Sequence, residues 1–95
     1  MSYGLANAPR FPMGQLVATP GALAAIPNAE ILSGLSRHAR GDWGDLDVED
    51  KQSNEEALQH GFRLFSAYKT ADETKFWIIT EADRSVTTVL LPSEY

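Results

Sequence analysis

The chain has 95 residues, 43% of them apolar and 22% charged, with no cysteine and a formal net charge of -5. This is enough for one small α+β domain with a modest core, and the lack of cysteine excludes disulfides, thiolate nucleophiles and cysteine-ligated zinc. No apolar run approaches the roughly 18 residues needed to cross a bilayer, and no basic segment followed by an apolar core opens the chain, so a cytoplasmic protein without a membrane partner is expected.

Residues 1–12 hold Gly4, Asn7, Pro9 and Pro12 among scattered apolar residues. They read as a flexible arm ahead of a single domain over 13–95. Residues 15–18 form a short apolar run that fits a strand. Thr19 then suits a helix N-cap and Pro20 the first helical position, but Pro27 stops that helix after barely a turn and a half. Asn28 is a second cap candidate. Ile31, Leu32, Leu35 and Ala39 recur at helical spacing over 29–40, with Arg37 and Arg40 in the last turn and Gly41 as the stop.

Between Asp42 and Glu56 the charge changes character. Asp42, Asp45, Asp47, Glu49, Asp50, Glu55 and Glu56 face a single base there, Lys51, while the rest of the chain is close to neutral. Residues 42–45 read as a loop, and Asp45 or Asp47 as the cap of a third helix running to about His60, with Gly61 ending it. Acids in its first half are favoured by the helix dipole. Its apolar face is thin, made of Val48, Ala57 and Leu58, so a surface helix with outward acids is expected.

The period then changes to two. Phe62, Leu64, Ser66 and Tyr68 alternate with Arg63, Phe65, Ala67 and Lys69. Residues 76–80 are an apolar run, and 85–91 are β-branched and apolar up to Pro92. Three strands in sequence make an antiparallel meander, with the middle one apolar on both faces and therefore central and covered. The expected architecture is α+β: a small antiparallel sheet (the meander plus the N-terminal strand) packed with two to three helices in the order β-α-α-β-β-β.

Three stretches carry a resemblance: Gln15-Leu-Val-Ala-Thr-Pro-Gly-Ala-Leu23, Arg37-His-Ala-Arg-Gly-Asp-Trp-Gly-Asp45 and Trp77-Ile-Ile-Thr-Glu-Ala-Asp-Arg-Ser-Val-Thr-Thr-Val-Leu-Leu-Pro-Ser-Glu-Tyr95. Through them, residues 13–95 resemble a group of small bacterial proteins of unknown function encoded on plasmids, phages and genomic islands, the plasmid-related proteins. The resemblance implies a bacterial, mobile-element setting and carries over no functional residue. By analogy with other small acidic proteins in that setting, it points toward an inhibitor of host defence.

No phosphate-binding, dinucleotide or zinc-protease motif is present, and no cofactor or metal is expected. His38 and His60 lie far apart at the ends of different helices, which reads as surface or capping histidines. The acidic stretch disfavours direct nucleic-acid binding. It favours instead a non-enzymatic module offering Asp42, Trp43, Asp45, Asp47, Glu49, Asp50, Glu55 and Glu56 to a basic surface on a larger protein, such as a nucleic-acid-handling complex. Trp43 reads either as a core residue or as the contact at the edge of that face. The alternative is a small metal-independent ribonuclease or toxin using His38, Arg63, Tyr68, Arg84 and Thr87. It requires those side chains to meet in one cleft. Arg63 and Arg84 also read as an anion site or as members of a surface ion-pair network. A homodimer through an exposed sheet edge is a further option.

Overall fold

The computed structural model describes residues 8–95. The elements run β1 (Gln15–Ala18), α1 (Pro20–Ala25), α2 (Asn28–Ala39), α3 (Val48–His60), β2 (Leu64–Lys69), β3 (Lys75–Thr80) and β4 (Val86–Leu90), with a final 3-10 turn at Pro92–Glu94. The architecture is α+β, with three helices between the first strand and the meander.

The local signals act where the residues place them. The Thr19 side chain accepts the Ala22 amide and starts α1. Asp47 accepts the Asp50 amide and starts α3, and Gly61 ends it in the left-handed conformation at φ 74°. Asn28 is not a cap: Pro27 occupies that position without a side-chain bond, and Asn28 is already helical.

The sheet order is β1-β4-β3-β2. The last three strands form the antiparallel meander, while β1 adds to β4 in parallel register, Gln15 opposite Val86 and Ala18 opposite Val89. The sheet is therefore mixed. Its inner face, lined by Leu64, Ser66, Tyr68, Phe76, Ile78, Thr80, Thr87 and Val89, is buried. Ile31 and Leu35 of α2, with Ala22 and Ile26, pack on Tyr68, Phe76, Ile78 and Val89. Burying side chains of this size contributes about 1.5–3 kcal/mol each. Gly34 lets α2 approach closely, since a Cβ there would sit 2.9 Å from the Phe76 ring.

A second apolar cluster joins Phe11, Trp43, Ala57 and Leu64. It fixes part of the segment expected to be an arm. Phe11 is buried, the Arg10 amide donates to the Ala39 carbonyl at 2.8 Å, and the Arg10 guanidinium holds Glu55. Residues 1–7 of that arm lie outside the described residues.

On the outer face, the middle strand is covered less than its composition predicts. Trp77 is half-buried, with the Phe65 and Tyr95 rings edge-on to it at centroid distances of 5.0 and 5.7 Å.

Candidate functional site

The acidic helix α3 packs along β2 through Asn54 and Ala57, its two buried residues. Asn54 aligns its amide with the Phe65 backbone, donating to the carbonyl at 2.7 Å and accepting the N–H at 3.0 Å. The loop before α3 completes the seal: the Ala67 amide donates to the Trp43 carbonyl and the Asp45 amide to the Ala67 carbonyl. Gly44 permits this approach at φ 76°, where a Cβ would stand 2.0 Å from the Ala67 carbonyl oxygen.

This packing divides the acids into two groups. Asp42 is bound by Arg37 at 2.7 and 3.2 Å. Glu55 is bound by Arg10 at 2.9 and 3.1 Å and accepts the Trp43 indole N–H at 2.9 Å. These hydrogen-bonded cations, and the indole at Glu55, hold both carboxyls below their ordinary range. The second group, Asp45, Asp47, Glu49, Asp50 and Glu56, is exposed and has no cation within salt-bridge distance among the described residues. The acidic face is thus smaller than the sequence run, since Asp42 and Glu55 belong to internal pairs.

Trp43 is not an exposed contact. It is 4% exposed, stacked on Phe11 at 6.3 Å and edge-on to His38 at 5.7 Å. Val48 departs from expectation in the opposite sense. It lies about two and a half turns from Ala57, hence on the opposite side of the helix, and is 82% exposed instead of joining the helix's apolar face.

The five residues of the ribonuclease reading do not share a cleft. His38 and Thr87 are fully buried on the inner face. Tyr68 is buried there too, donating to the Asp42 carbonyl at 2.6 Å, and burial pushes its phenol up to about 12. Arg63 is exposed and bonded to Glu81 and the Tyr95 hydroxyl. Arg84, at φ 62°, donates to the backbone carbonyls of Phe62 at 2.7 Å and Ala57 at 3.1 Å. It ties the end of α3 to the β3–β4 turn and forms no anion site with Arg63.

His38 is neither a surface nor a capping residue. It belongs to a buried line of polar groups whose protons can be placed in order. Thr87 donates its hydroxyl to the Met13 carbonyl at 2.6 Å. Thr80 must then donate to Thr87 at 2.7 Å, and His38 Nε2–H to Thr80 at 2.9 Å. Nδ1 is left to accept the Ser66 hydroxyl at 2.5 Å. Since burial disfavours the charged ring, the imidazole is the neutral Nε2–H tautomer. Burial, with Arg84 nearby, lowers its pKa to about 4. A fully bonded line of this kind fixes how helix and sheet meet, and it leaves no polar atom free for chemistry.

Among the described residues, no cluster of three His, Asp or Glu side chains is arranged to hold a metal ion. The sequence reading missed Lys69 and Lys75. They face each other across β2 and β3 on the outer side, beside Trp77. The alternation of the two strands could have placed them on that face, but their register was needed to pair them. Neither a protein-family model, nor a curated protein, nor a solved structure matches the chain.

Proposed function

We propose that this protein is a non-enzymatic binding module that offers the exposed carboxylates of α3 and of the loop before it to a basic surface on a larger protein. The observation that carries this reading is the group Asp45, Asp47, Glu49, Asp50 and Glu56. They are exposed on α3 and the loop before it, with no cation in salt-bridge reach among the described residues. Such a group projects a field that speeds encounter with a cationic partner and weakens as salt rises. The buried His38 line supports it indirectly, because the imidazole and hydroxyls that an enzyme reading would use are sealed into the helix–sheet junction.

Within this reading the mobile-element setting implied by the resemblance, and the role of a defence inhibitor, are proposals that rest on the same face. The test is capture from a bacterial lysate by immobilised protein at low and high salt. Wild type should retain a salt-sensitive set of proteins that a variant with Glu49, Asp50 and Glu56 each replaced by Lys does not. Equal recovery by the two would remove the proposal. Asp47 is left in place in that variant because it caps the helix.

A further inference from the structure

Lys69 and Lys75 are an unusual pair to leave facing each other. They are directly opposite in the antiparallel register, where like charges repel, and no carboxylate among the described residues reaches either one. They border a cleft of about 400 Å³ on the outer sheet face, lined also by Asp45, Ala67, Trp77 and Pro92. Across Trp77 lies a second hollow of about 260 Å³, whose wall is Arg63, Phe65, Trp77, Ile79 and Tyr95. The face thus sets an aromatic hollow, edged by the Glu81-bound Arg63, beside a cleft that holds two lysines and Asp45.

A complementary shape exists on the same molecule. Val48 stands 82% exposed at the first position of α3, in a first turn that also carries Glu49 and Asp50 and is capped by Asp47. It is an apolar side chain at the acidic end of α3, and the cleft sets the Trp77 ring beside two lysines, with Asp45 also in its wall. The two are neighbours: Asp45, three positions before Val48, lines the cleft itself. Adjacent, mutually complementary surfaces can be satisfied twice by a single two-fold axis.

We propose that the outer cleft receives the start of α3 from a second copy of this chain, in a two-fold dimer. Val48 of each protomer enters the other's cleft beside Trp77, while Glu49 and Asp50 meet Lys69 and Lys75. A single-stranded nucleic acid is the poorer occupant despite the aromatic wall. A line of phosphates would leave the carboxylates of α3 beside the cleft unpaired against it, whereas the two-fold dimer pairs Glu49 and Asp50 of each copy with lysines of the other. The inference does not rest on the basic-partner reading. The two would compete for the same carboxylates, and the following measurement uses the purified chain alone, so either can fail without the other.

The experiment is light scattering on the purified protein over a concentration series. Wild type should pass from the protomer mass to twice that mass. Val48→Asp, the double variant Lys69→Glu/Lys75→Glu, and the double variant Glu49→Lys/Asp50→Lys should each weaken the dimer by about tenfold or more. All five positions are exposed, so the fold should persist. Mixing the two double variants should restore a heterodimer, because one of its contacts is wild type and the other has both charges reversed. A wild type that stays monomeric throughout, a dimer indifferent to these changes, a mixture that fails to pair, or growth beyond two copies would each overturn the proposal.

Discussion

His38 shows how a single imidazole can make a fold sensitive to acid without any part in catalysis. Its folded pKa of about 4 lies below the ordinary 6.5. Between those values the unfolded chain takes up a proton that the folded chain refuses. Its contribution is therefore complete above about pH 6.5 and is lost as pH falls toward 4, by about 3 kcal/mol at most. Urea unfolding across this range should show the midpoint dropping. A His38→Phe variant should flatten that slope while costing about 2 kcal/mol at pH 7, because Ser66 and Thr80 lose a partner. An unchanged slope would mean that another group carries it. Arg84 makes a second residue-scale case. Lysine cannot span the carbonyls of both Phe62 and Ala57, so Arg84→Lys should cost about 1–2 kcal/mol. Faster hydrogen exchange in the last turn of α3 than elsewhere would locate the loss.

Among the elements, β2 is an edge strand whose free side is not left open. Asn54 bonds Phe65 from the helix, and the loop at 43–45 bonds Ala67. This blunts an edge that would otherwise template pairing with other chains. Asn54→Ala should therefore do two things: lower stability by about 2 kcal/mol, and raise the exchange rate of the Phe65 amide above that of its neighbours. Retained protection at Phe65 would refute the role given to Asn54. The elements themselves were legible in the sequence because their signals are local: the Thr19 and Asp47 caps, Gly61 as the stop, and the alternation through β2. What was not legible depends on contacts between distant residues. His38 looks like a helix-end histidine until Ser66 and Thr80 arrive from two strands. Val48 looks apolar and therefore inward until the helix is docked through Asn54 and Ala57. Arg10 looks like part of a loose terminus until Glu55 is placed beside it.

Across the whole molecule, charge is unevenly distributed. Asp45, Asp47, Glu49, Asp50 and Glu56 are exposed on α3 and the loop before it, while Lys69 and Lys75 stand together on the outer sheet face. A binding equilibrium that uses either surface should weaken between low and physiological salt, as fields beyond roughly 8–10 Å are screened. Conformational stability should respond less, because the ion pairs at the surface contribute little each. Binding and unfolding measured over one salt series would separate the two, and equal sensitivity would count against a surface-charge mechanism. The acidic stretch was visible in the sequence, but its effective size was not. Two of its carboxylates are consumed by Arg37 and Arg10, and only the folded chain reveals which.

The parallel pairing of β1 with β4 also sets the order in which the molecule can assemble. Gln15 to Ala18 meet Val86 to Val89, and the Thr19 hydroxyl and Gly21 amide donate to Glu94 from across nearly the full chain. The first strand therefore waits for the last. Closing so long a loop before the contacts that reward it are made raises the kinetic barrier, so refolding should be slower than for a helical bundle of equal length. A nascent chain halted before Val86 would hold its helices against an incomplete sheet, and protease digestion of such a ribosome-bound intermediate should find β1 unprotected.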